Sequence, residues 1–190
     1  MKSELGSVDP GAVKKAFHTL DDPFMECQKR GLERIEVLAG NVKFFLRIGE
    51  DGAAKWAYVE ESDLGDRATE KCLITAIMSK AWPKPDGGDA EAHYGIELPL
   101  QATRPPVDWG AEKVSARIGK YADAIDRCKG GASGFQATIY VGQGGKVIAA
   151  GVATAHKDSE EQADCLADLL VRAKGLPSPG SWPAKVSLPL

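Results

Sequence analysis

The chain has 190 residues, of which 43% are hydrophobic and 27% charged, enough for one large domain or two small ones with separate cores. A formal net charge of -3 gives no electrostatic drive toward nucleic acid or an anionic lipid surface, and no run approaches the roughly 18 apolar residues of a membrane span. The opening segment Met1-Lys2-Ser3-Glu4-Leu5-Gly6-Ser7 carries no hydrophobic signal region, which leaves either a cytosolic protein or a secreted one whose leader is absent from this sequence.

The first helix is announced by Asp9 as N-cap and Pro10 at the first helical position. Val13, Phe17, Leu20, Phe24 and Cys27 recur at spacings of four and three, one face of a helix, and Asp22-Pro23 predicts a kink or a fresh start. A strand over Asn41 to Ile48 runs into the tight-turn composition Gly49-Glu50-Asp51-Gly52 and returns through Lys55 to Glu60. Asp66 caps a second helix, which Pro83-Lys84-Pro85 stops, and a last strand ends on Leu98-Pro99-Leu100. Because proline cannot donate to a ladder, that strand belongs at a sheet edge. Gln101 to Glu112, with Arg104-Pro105-Pro106, reads as a short stiff connector.

The same series then repeats. One ungapped offset lays Gly49 on Gly142, Gly52 on Gly145, Val59 on Val152 and Cys72 on Cys165. Val114, Ile118, Tyr121, Ile125 and Cys128 match the first helix, here expected to be continuous, and Phe135 to Val141 with Val147 to Ala153 match the hairpin. Ser159 with Gln162 forms a capping box for the stripe Ala163, Leu166, Leu169, Leu170 and Ala173. Pro177-Ser178-Pro179 repeats the stop, and Leu188-Pro189-Leu190 the ending. The reading is an α+β chain of two tandem modules, 8–100 and 113–190 joined by 101–112. Each is helix-strand-strand-helix-strand, a three-stranded sheet covered by two helices. A fragment ending near Pro105 is then expected to fold alone.

The run Gly40-Asn41-Val42-Lys43-Phe44-Phe45-Leu46-Arg47-Ile48, with Asp51-Gly52, Ser62-Asp63-Leu64-Gly65-Asp66, Cys72 and Trp82-Pro83-Lys84-Pro85-Asp86-Gly87-Gly88, resembles the TonB-like C-terminal domain of myxobacterial AgmX/PglI-type envelope proteins. Cys27 fits the helix cysteine that precedes this motif. The second copy departs from it, with Ala155-His156-Lys157-Asp158 in place of Ser62-Asp63-Leu64-Gly65. The resemblance implies a periplasmic or outer-membrane-associated, non-enzymatic module that joins envelope proteins, in some members within gliding machinery or TonB-like energy coupling, without a cofactor. Such a location also accounts for a missing leader.

Four cysteines stand one per helix, with none of the close spacing of zinc or dithiol sites. Helices side by side on one sheet face would pair Cys27 with Cys72 and Cys128 with Cys165; buried free thiols are the alternative. Bridges of this kind persist in an oxidising compartment. His18, His93 and His156 have no metal-ligand spacing, so no metal is expected; the lysine after Gly142-Gln143-Gly144-Gly145 opens a strand, unlike a phosphate loop. Asp21-Asp22, Glu60-Glu61 and Glu160-Glu161 lie at element ends, where acids favour helix starts and solvated turns.

Trp56 and Tyr58 alternate on one strand face, opposite Ala57 and Val59; if the helices cover the latter pair, the two rings are exposed, and otherwise they point into the core. The leading expectation is a module that binds an extended envelope peptide along the edge Ala92-His93-Tyr94-Gly95-Ile96-Glu97-Leu98, with Ile96 as a ladder position where proline would block binding if its donor faces solvent. A pseudo-symmetric structural scaffold, favoured if edges are buried between the copies, is the second class; a cytosolic thiol protein or enzyme is the third.

Overall fold

The computed structural model describes residues 5–190; the polar start at Met1 to Glu4 lies outside the described residues. The fold is α+β, with one sheet of three strands and one of four. Asp9 accepts the N–H groups of Gly11 and Ala12 and starts α1 (Pro10–His18). The chain turns at Thr19 and Leu20 into α2 (Asp21–Leu32), the break that Asp22-Pro23 predicts. Strands β1 (Gly40–Ile48) and β2 (Ala54–Ser62) form the hairpin, Asp66 caps α3 (Arg67–Met78) by accepting the Thr69 N–H at 3.1 Å, and β3 (Ala90–Leu98) closes the first half. Sheet order is β2-β1-β3, so β3 is an edge strand as its following proline implies.

The second half departs from expectation in three places. Its first helix is not continuous: α4 (Glu112–Ile118) passes through a 3-10 turn over Gly119–Tyr121 before α5 (Ala122–Lys129), with glycine at the break. The linker is not a free connector either. Val107–Trp109 forms β4, parallel to the last strand β7 (Ala184–Pro189), in a sheet ordered β4-β7-β5-β6 with β5 (Phe135–Val141) and β6 (Val147–Thr154). That sheet therefore has four strands, and β7 is interior. Ser159, finally, makes no capping bond to α6 (Glu160–Val171), because Lys157–Ser159 already winds as a 3-10 turn into that helix.

The hairpins agree residue for residue from Phe44 and Ala137 to the turn, while a further register shift between Lys43 and Phe44 is found in the first alone. Phe44 opposes Val59 as Ala137 opposes Val152, and both break register at the same step, between Arg47 and Ile48 and between Tyr140 and Val141. The repeated Leu-Pro-Leu endings do not agree. Ile48 pairs with Ala90 and Val141 with Ala184, so β7 overlies β3 with Ala184 on Ala90 and Leu188 on Tyr94. The anchor is the turn before each strand. Gly52 lies under the Trp82 carbonyl and Gly145 under that of Leu176, positions with positive φ where a Cβ would collide.

Val42, Phe44, Leu46 and Ile48 pack under α1, α2 and α3, with Phe17 of α1 stacked on Tyr94 of β3 at 4.0 Å between ring centroids. The second core gathers Val114, Ile118, Ile139, Val152, Leu166 and Leu170. The first core also takes in Tyr140, Ala149 and Ala153, so a fragment ending near Pro105 would lack one wall of it.

Cys27 is joined to Cys72, and Cys128 to Cys165, each bridge tying the first helical segment of its half to the second across Cα separations of 5.7 and 5.5 Å. Closing loops with sequence separations of 45 and 37 contributes about 4 kcal/mol each in the chain-entropy account. Intact denatured protein is expected to weigh about 4 Da less than its fully reduced form. Cys27 is buried whereas Cys165 is exposed, so mild reductant without denaturant should open Cys128–Cys165 first. Alkylation and peptide mapping of a one-bridge intermediate checks the order; simultaneous loss of both would contradict it.

Candidate functional site

The sheet of the first half has one face under helices and one without them. On the latter stand Lys43, Phe45 and Arg47 of β1, Trp56, Tyr58 and Glu60 of β2, and Glu91, His93, Gly95 and Glu97 of β3. Ala57 and Val59 face the helices, so the rings of Trp56 and Tyr58 do point the other way. They are not both exposed. Tyr58 is 7% exposed, its hydroxyl donating to the Ala155 carbonyl of the second half at 3.4 Å, and Trp56 is half-buried between Arg47 and Lys157. Phe45 stacks on Tyr58 and meets His93 edge-on, at centroid distances of 5.0 and 5.1 Å.

The charges on this face are mostly consumed internally. Arg47 pairs with Glu91 at 2.7 Å and Asp89 at 3.4 Å, His93 with Glu60 at 2.9 Å, and Lys43 with Glu61 at 2.8 Å and Glu60 at 3.3 Å. The hydrogen bond from Lys55 holds Asp89 below its ordinary value; Glu60 lies below its own because His93 and Lys43 outweigh burial. Glu97 has no ion-pair partner among the described residues.

Backbone alternation decides which edge groups are free. The Asn41 carbonyl accepts the Asp63 N–H and the Gly49 N–H donates to Ala53, so odd-numbered residues of β1 turn toward β2. Val42, Phe44 and Leu46 therefore bond to Ile96, Tyr94 and Ala92. The Ile96 donor is thus spent inside the sheet, and proline there would break the ladder rather than only the edge. The free N–H and C=O groups are those of Glu91, His93, Gly95 and Glu97. Gly6 reaches the edge only at its start, donating to Asp89 at 2.9 Å, before Ser7 bridges to Asp86. In the second half the equivalent bond, from Val107 to Pro183 at 2.9 Å, continues into β4 and covers β7.

The other edges are closed between the halves. The face of the second sheet away from its helices carries Thr138, Tyr140, Ala149, Gly151 and Ala153 and packs on the first half. Glu70 of α3, 1% exposed, accepts the Val152 N–H of β6 at 3.2 Å and the Ser62 hydroxyl at 2.8 Å. Burial raises its carboxyl above the ordinary value. Arg67 pairs with Glu160 and, at 2.8 Å, with Asp164, which Lys71 also meets at 2.7 Å. The Tyr140 hydroxyl donates to Ala39 at 3.2 Å, and Lys185 donates to the same carbonyl at 2.9 Å. Burial pushes the Tyr140 phenol up and the Lys185 ammonium down.

Glu70, Arg67, Tyr140 and Lys185 were not singled out from sequence. The signal for their interface is the alternation of small residues Ala149, Gly151 and Ala153 where the first half has Trp56 and Tyr58 at the first two aligned positions. A Cβ on Gly151 would stand 2.5 Å from Glu70 Oε1. Among the described residues no His, Cys, Asp and Glu group could hold a metal ion, and no helix is long and apolar enough to cross a membrane. No family model, curated protein or solved structure matches this chain.

Two outcomes are expected at the interface. Gly151→Val should lower stability by about 2–3 kcal/mol, since neither the buried carboxylate nor the Asp66 backbone can move aside; thermal unfolding reads it. Because the folded pKa of Glu70 is raised, its contribution is fully present below the ordinary carboxylate pKa and is lost as pH rises through the folded value. The stability of wild type relative to Glu70→Gln should therefore improve as pH falls through that folded value. A difference that does not vary with pH would mean Glu70 titrates as in the unfolded chain.

Proposed function

We propose that the chain is a non-enzymatic protein-protein interaction module of the cell envelope, two tandem TonB-like copies spanning 8–100 and 113–190, that binds an extended peptide from an envelope partner by strand addition to β3. The observation that carries this reading is the row of unpaired backbone groups at Glu91, His93, Gly95 and Glu97, on an edge that is regular over its whole length. Its supports are the sequence resemblance to AgmX/PglI-type domains and the two disulfides, which are compatible with an oxidising compartment such as the periplasm. The second half offers an internal precedent for adding a strand at this position, since β4 occupies the equivalent edge of β7.

A structural scaffold is the second reading, favoured by Glu70, which joins Ser62 of β2 to Val152 of β6, and by the Tyr140 hydroxyl on Ala39. It leaves β3 without a role. The halves meet by different surfaces, so this scaffold would lack the pseudo-symmetry expected from the duplication.

Gly95→Pro separates the readings. It removes a donor that faces outward, at a residue whose Cβ would meet nothing within 4 Å. Capture of the native envelope partner should fall at least about tenfold, or about 1.4 kcal/mol, with the melting temperature nearly unchanged. A folded variant that binds as wild type does would leave the scaffold as the better account.

A further inference from the structure

The internal strand β4 displays the chemistry that such an edge accepts. Val107, Asp108 and Trp109 lie beside Ala184, Lys185 and Val186 of β7. The two apolar residues share a side with the helix-facing residues of β7, and the middle carboxylate lies beside an ammonium, an opposite-charge neighbour pair. Residue for residue, Ala184, Lys185 and Val186 overlie Ala90, Glu91 and Ala92. The apolar positions are kept and the charge is reversed.

The rest of β3 continues the pattern. Ala92, Tyr94 and Ile96 are half-buried on the helix side, with Tyr94 held against Phe17. On the other side Glu97 is a carboxylate without an ion-pair partner among the described residues, and Gly95 leaves open space. Gly95 lines a groove of about 630 Å³ with Lys43, Glu60, Glu61, Asp63 and Glu97, four carboxylates against one ammonium. Lys43 meets Glu60 and Glu61, and Lys185 meets Asp63 at 3.7 Å, which leaves Glu97 as the carboxylate of the groove without an ion-pair partner among the described residues. An added strand lies roughly 5 Å from β3, which lets a lysine or arginine on it cross the Gly95 gap and meet these carboxylates.

We infer that the peptide bound at β3 alternates apolar residues, seated beside Ala92, Tyr94 and Ile96, with lysine or arginine beside Gly95 and Glu97. This rests on the strand-addition reading and names its specificity. Selection of displayed random decapeptides on the intact chain tests it, with a parallel selection on the double variant Gly95→Lys/Glu97→Lys, which places ammonium groups at the two outward-facing positions argued to select the basic residues. Wild type should enrich apolar-basic alternation, the double variant should switch to Asp and Glu, and wild-type peptides should lose at least tenfold in affinity for Gly95→Pro. Peptides that need the Gly95 donor but show no basic preference, or no switch, would overturn the charge inference and leave strand addition standing. Peptides that bind Gly95→Pro equally, or no enrichment at all, would overturn both. Because Gly95→Lys keeps the backbone donor, it reads specificity even where the proline variant unfolds.

Discussion

The arrangement of the molecule depends on one buried carboxylate. Glu70 leaves the first turn of α3 and takes the Val152 N–H of an edge strand in the other half, with the Ser62 hydroxyl on its second oxygen. An edge donor excluded from water costs about 1–3 kcal/mol unless it is satisfied. Here a side chain supplies the acceptor that another strand would otherwise bring. Gly151 makes the approach feasible, since any Cβ there would occupy the space of the carboxylate. Around this contact Arg67, Lys71 and Asp164 supply ion pairs, and the Tyr140 ring and hydroxyl fill the first core from the far side.

Closing β6 in this way decides what the remaining edges can do. The linker strand closes β7, and the packing of the halves closes β2 against the second sheet. Among the described strands, only β3 combines a regular ladder with outward backbone groups along most of its length. The two halves are thus used asymmetrically. In the second the helix-free side of β6 carries alanine and glycine and packs on the first half; in the first the corresponding side of β2 carries aromatic rings, with paired charges beside an open edge.

Much of this was legible in the sequence, for identifiable reasons. Helix starts at Asp9 and Asp66, the break at Asp22-Pro23 and both hairpins follow from capping and period-two patterning, which act within a few residues. The cysteine pairing followed from placing two helices on one sheet face. Ser159 looked like a cap but lost that role to a preceding 3-10 turn, a local competition that side-chain preference alone does not settle. The Leu-Pro-Leu endings misled because register is set by the turns at Trp82 and Leu176, not by the strand's last residues. The β4 strand was hidden because three residues after two prolines carry little pattern, and their ladder partner lies far along the chain. Of the two readings left open for Tyr58, exposed or core-facing, neither foresaw burial on the helix-free face, because the Ala155 carbonyl that meets its hydroxyl belongs to the other half.

Residue-resolved amide hydrogen exchange on the unliganded chain tests the central claim, that β3 is open while β6 is closed by Glu70. Amides of His93, Gly95 and Glu97 should exchange near the rate of unstructured chain, while those of Tyr94, Ile96 and Val152 are slowed by orders of magnitude. Uniform protection along β3, or a Val152 amide as fast as that of Gly95, would contradict the account.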